Sequence, residues 1–66
     1  MRYKVYYRTD DPYANWEAFN VGSARDRDEE LAQMVASAAF REIRYCKLYA
    51  DGSEGDFVKV FTNRAN

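Results

Sequence analysis

The chain has 66 residues, 47% of them hydrophobic and 17% aromatic, with one proline and three glycines; that composition excludes a disordered segment, and the length excludes a second core. It has no histidine, which removes the usual general base, the Ser-His-Asp and Cys-His nucleophile systems and every zinc site that needs an imidazole. Ten basic and eleven acidic residues leave a net charge of −1, so bulk charge argues neither for a polyanion binder nor for a strongly acidic nucleic-acid mimic.

Residues 2 to 9 alternate, with Tyr3, Val5 and Tyr7 on one side and Arg2, Lys4, Tyr6 and Arg8 on the other, which predicts a β-strand with one wet or partner-facing side. Thr9-Asp10-Asp11-Pro12 is turn chemistry, and it accounts for the adjacent carboxylates better than a paired acid-base site does. A second strand is expected over 15–21, placing Phe19 and Val21 on one face and Trp16 and Ala18 on the other. Gly22-Ser23-Ala24 then breaks the chain. Asp26 with Glu29 three residues on forms a capping-box-like helix start, and Leu31, Met34, Val35 and Ala38 recur at helical spacing. Acidic residues in the first turn oppose the positive end of the helix dipole, which already explains the cluster Asp26, Asp28, Glu29 and Glu30.

After Phe40 the residue types turn β-favouring. Ile43, Tyr45, Cys46, Leu48 and Tyr49 predict a third strand and 57–62 a fourth, joined by a hairpin loop over 50–56. That loop holds Asp51, Ser53, Glu54 and Asp56 without the spacing of a calcium loop. The most economical arrangement is a single α+β domain over 1–66, ββαββ, with one helix on one face of a four-stranded antiparallel sheet.

Turning the lysines outward assigns Tyr3, Val5, Tyr7, Phe19, Val21, Cys46, Leu48, Val58 and Val60 to the side beneath the helix. The other side then displays aromatic residues interleaved with cations: Tyr6, Arg8, Trp16, Tyr45, Lys47, Tyr49, Lys59 and Phe61, with Arg2, Lys4 and Phe57 beside them. Exposed aromatic area of this extent marks a binding surface. Tyr, Trp and Arg dominate protein interfaces, whereas rings among cations also suit base stacking and phosphate neutralisation. Two sheets packed face to face in a homodimer are the structural alternative.

No phosphate loop, nucleophile elbow or cofactor fingerprint occurs, and Gly55 to Phe61 is one residue out of the spacing of the aromatic strand in RNA-recognition modules. Cys46 has no intramolecular partner and fits a reducing cytoplasm as a small apolar residue. The charged start Met1-Arg2-Tyr3-Lys4 does not suit a signal peptide, and the uncharged run over 31–40 is too short to cross a bilayer. A soluble, cytoplasmic protein without a membrane partner is expected.

The succession Tyr3-Lys4-Val5-Tyr6-Tyr7, a strand ending Phe19-Asn20-Val21, a helix, and the hairpin Lys47-Leu48-Tyr49-Ala50-Asp51-Gly52 resembles the layout of small phage-encoded anti-CRISPR proteins. The likeness covers most of the chain as architecture and transfers no site residue. It implies a non-enzymatic inhibitor that docks on a CRISPR effector, a bacterial ribonucleoprotein complex, and blocks target or guide access. The expectation is a cofactor-free binding protein using Tyr6, Arg8, Trp16, Tyr45, Lys47, Tyr49, Lys59 and Phe61, or instead the acidic Asp26, Asp28, Glu29 and Glu30. Direct nucleic-acid binding by the aromatic face is the second reading.

Overall fold

In the computed structural model, which describes residues 1–11 and 13–62, the elements run β1 (Arg2–Thr9), β2 (Glu17–Val21), α1 (Ala24–Ala36), β3 (Phe40–Leu48) and β4 (Val58–Thr62). The strands form one antiparallel sheet in the order β2-β1-β3-β4, the ββαββ arrangement expected from the sequence. The core lies between the helix and one sheet face and is built from Tyr3, Val5, Val21, Leu31, Met34 and Ile43. Val5 and Ile43 are wholly excluded from solvent. Each such side chain contributes about 1.5–3 kcal/mol of burial.

The helix begins differently from its expected capping box. Ser23, not Asp26, is the N-cap: its hydroxyl accepts from the Asp26 backbone N–H at 3.1 Å. Asp26 therefore sits within the first turn, where its charge still faces the positive end of the dipole. The helix stops at Ala36, so Ala38 falls in the following turn, and Val35 is 42% exposed. Only Leu31 and Met34 are buried, and the helix packs chiefly on β1 and β2. No helix among the described residues is long and apolar enough to cross a membrane.

The β3 register departs from expectation by one residue. Tyr7, Val5 and Tyr3 lie opposite Ile43, Tyr45 and Lys47, so these β3 residues share the helix side, whereas Cys46, opposite Lys4, and Leu48, opposite Arg2, belong to the other face. The strand starts at Phe40, earlier than its apolar run suggested, and Ile43 fills the centre of the core. Lys47 can share the helix side because it lies near the strand's end and stays exposed. In β4 a register shift between Ile43 and Arg44 brings Phe61 opposite Ile43, packed against the core instead of on the open face, while Lys59 pairs with Arg44.

The β3–β4 connection closes tightly. Gly52 donates its N–H to Tyr49 O and Tyr49 donates to Ser53 O, both at 2.9 Å, with Gly52 at φ +88°, a conformation that favours glycine. The Asp51 carboxylate accepts from the Ser53 hydroxyl and backbone N–H, which hold it below its ordinary range.

Replacing Ile43 by Ala is expected to cost about 2–5 kcal/mol in urea denaturation, against less than half of that for Leu48→Ala and about 0.5 kcal/mol or less for Val35→Ala. Equal losses at 43 and 48 would contradict this register.

Candidate binding surfaces

The sheet face without a helix is covered by its own side chains. Trp16, just before β2, and Phe57, just before β4, fold over that face, with Arg44 of β3 against both: its guanidinium carbon lies 4.0 Å from the Trp16 ring centroid and 5.0 Å from that of Phe57. Arg8 approaches the same indole at 5.4 Å. Tyr6 meets Phe57 edge to face at 5.3 Å. These contacts join four chain segments through rings and cations, a geometry that stabilises each pair by about 0.5–2 kcal/mol depending on exposure.

Glu54 organises the polar half of this face. It accepts from the Tyr6 hydroxyl at 2.6 Å and from the Cys46 thiol at 3.4 Å, and its second oxygen lies 3.8 Å from Lys4 Nζ. The Tyr6 bond, reinforced by the Cys46 bond and by Lys4, holds the Glu54 carboxyl below its ordinary range although its partial desolvation acts in the opposite direction. The same bond pushes the Tyr6 phenol up. Burial, followed by the bond to Glu54, raises the Cys46 thiol, which is only 1% exposed. Farther along, Arg8 pairs with Glu42 directly across the β1–β3 ladder, and its Nε is buried with no partner among the described residues.

Of the residues singled out from the sequence, Tyr6, Arg8, Trp16 and Lys59 do share this face. Tyr45, Lys47 and Tyr49 do not. With Tyr3, Arg27 and Val58 they line a cleft of about 310 Å³ on the helix side of the sheet. Phe61 belongs to the core margin. The acidic cluster stays on the helix surface, where Asp28 pairs with Arg27 at 2.9 Å and Glu29 with Arg25 at 3.4 Å. Arg44, Glu54 and Arg27 carry geometry that the sequence reading missed. Arg44 could have been found by placing Glu42, Arg44 and Cys46 together on one strand face opposite Arg8, Tyr6 and Lys4.

The shifts fix the pH response of the Glu54 cluster. Glu54, with its lowered value, contributes stability above its unfolded pKa of about 4.3, and that contribution is lost as pH falls through the still lower folded value. Tyr6 and Cys46, with raised values, contribute below about 10 and 8.5 and lose that contribution as pH rises through their folded values. The urea midpoint should therefore be flat between about pH 5 and 8 and fall on both sides. Glu54→Gln should make the acid limb shallower, and an unchanged acid slope would remove Glu54 from this role. Comparison with known proteins finds no matching family model, curated protein or solved structure.

Proposed function

We propose that this chain is a non-enzymatic binding protein that docks through its helix-free sheet face on a bacterial nucleic-acid-processing protein and works by occluding that partner's surface in the cytoplasm. A CRISPR effector is the partner class that the anti-CRISPR-like layout suggests. The observation that carries the reading is the Trp16–Arg44–Phe57 stack with Tyr6 at its edge, partly exposed on a face that no helix covers. Aromatic and arginine side chains already held against one another lose little freedom on docking, which is the property of interface hot spots. Occlusion requires a rigid surface and no reacting group.

Charge favours an acidic partner surface. Arg2, Lys4, Arg8, Arg44 and Lys59 on this face outnumber Glu42 and Glu54, although the whole chain is net −1. The same excess supports direct nucleic-acid binding as a second reading. Against that reading, the indole and Phe57 ring already carry the Arg44 cation, whereas base stacking needs open ring faces.

Affinity capture with the tagged chain from bacterial lysate, divided into nuclease-treated and untreated halves, separates the two readings. A protein partner should survive nuclease. Trp16→Ala or Arg44→Ala should weaken its binding by about 2 kcal/mol or more, while charge reversal at Asp26 and Glu30 should leave it intact. Unchanged affinity in a folded Trp16→Ala variant would discard this face as the docking surface. Partners lost with nuclease, together with affinity that falls steeply with salt, would favour nucleic acid.

A further inference from the structure

We infer that the cleft on the helix side of the sheet is a binding site for a nucleoside monophosphate, either free or at the 5′ end of a strand. It lies on the opposite side of the sheet from the proposed docking face and does not depend on that reading. Its volume of about 310 Å³ is at the lower end of the range for small-ligand pockets, roughly 300–1,000 Å³.

Two cations face this space without full pairing. Arg27 is flanked by the rings of Tyr3 and Tyr45, with its guanidinium carbon 4.5 and 4.7 Å from their centroids. Its Nε and Nη2 both approach Asp28 Oδ1, at 3.0 and 2.9 Å, so Nη1 has no protein acceptor among the described residues. The side chain is only 17% exposed, and its contacts with the two rings and with Asp28 restrict its motion where it lines the cleft, which preorganises it as a donor. Lys47 forms no ion pair among the described residues and supplies a second, exposed cation lining the cleft. A phosphate monoester, with several charged oxygens, can use a planar guanidinium edge and a compact ammonium together.

The remaining wall suits the body of such a ligand. Tyr49 is 43% exposed, and the Gly55 backbone runs beside its ring edge and hydroxyl, where an added Cβ would stand in ordinary contact at 3.5 Å. The exposed part of the Tyr49 ring, with Val58 also lining the cleft, supplies aromatic and apolar surface against which a base can pack. Asp56 is the carboxylate lining the cleft, and it opposes anion binding.

The test is titration of the full chain with adenosine 5′-monophosphate, adenosine and inorganic phosphate, followed by amide chemical-shift mapping. The monophosphate should bind saturably at millimolar concentration or below, at least tenfold more tightly than either fragment, with shifts around Arg27, Lys47, Tyr49 and Gly55. Lys47→Gln, at an exposed position, should weaken it about tenfold, the loss of one charge-assisted hydrogen bond. Asp56→Asn should strengthen it several-fold. Arg27→Lys, checked for folding, should also weaken it, because charge is kept while the planar edge is lost. A 5′-phosphorylated trinucleotide distinguishes the sources: tighter binding than the mononucleotide assigns a strand end, equal or weaker binding the free nucleotide. No saturable shift, phosphate binding as tightly as the nucleotide, indifference to Lys47→Gln, or shifts confined to the Trp16 face would each overturn the assignment.

Discussion

A helix about 10 Å across covers two strands of a sheet whose outer strands stand about 15 Å apart, and most of the side-chain arrangement follows from that shortfall. Helix α1 buries Leu31 and Met34 against the β2–β1 half of the sheet, leaving β3 and β4 partly uncovered on that side and all four strands uncovered on the other. The chain covers the remainder with side chains that tolerate water on one flank. Arg27 lies against Tyr3 and Tyr45, Arg44 against Trp16 and Phe57, and Lys4 over Tyr6. An aromatic ring paired with a cation shields backbone while keeping its charge hydrated, which neither an aliphatic nor a lone charge accomplishes.

The same constraint explains Cys46. It lies on the helix-free face yet is as inaccessible as a core residue, because Glu54 approaches its thiol and the Tyr6 hydroxyl beside it. The isolated bridge between Leu48 and Glu54 brings the post-turn segment back alongside the end of β3, and Phe57 then reaches Tyr6 from the same connection. The loop that reads as a solvated hairpin tip thus has two parts. Its tip, around Gly52, faces water; its return limb places Glu54 over the buried Cys46 and brings Phe57 to Tyr6.

Legibility differed sharply between strands for a physical reason. β1 alternates without ambiguity, because Tyr3, Val5 and Tyr7 are separated by charged residues or Tyr6, and its face assignment stands. In β3 both alternate sets are amphipathic: Ile43, Tyr45 and Lys47 on one face, Arg44, Cys46 and Leu48 on the other. Period-2 patterning cannot rank two such sets, and the assumption that a lysine points away from the helix chose the wrong one. What decides is tertiary: Ile43 meets the core beside Val5, and Lys47 escapes to solvent past the helix. That slip split the expected aromatic face in two, sending Tyr45, Lys47 and Tyr49 to the cleft and leaving Tyr6, Arg8, Trp16 and Lys59 behind. The helix was legible as an element, but its cap was not, because Ser23 and Asp26 both begin acceptable capping patterns.

A net charge of −1 conceals a segregated one. Carboxylates concentrate on the outer surface of the helix, partly neutralised by Arg25 and Arg27, while cations predominate on the helix-free sheet face. With a Debye length of about 8 Å, a partner approaching the sheet closely meets mainly the charges of the face nearest to it. In the proposed docking, the sheet face would favour acidic surfaces even though the whole molecule does not, and would orient a partner on approach. Once contact is made, rings already packed on Arg44 and Arg8 restrict the motion that binding would otherwise have to freeze. The coverage problem that put cations on rings to complete the fold thereby also produces a rigid, charged, aromatic surface suited to recognition. In the proposed docking, stability and binding rest on the same side chains, so substitutions that weaken the stack should affect both, with the larger effect on binding where the ring is most exposed.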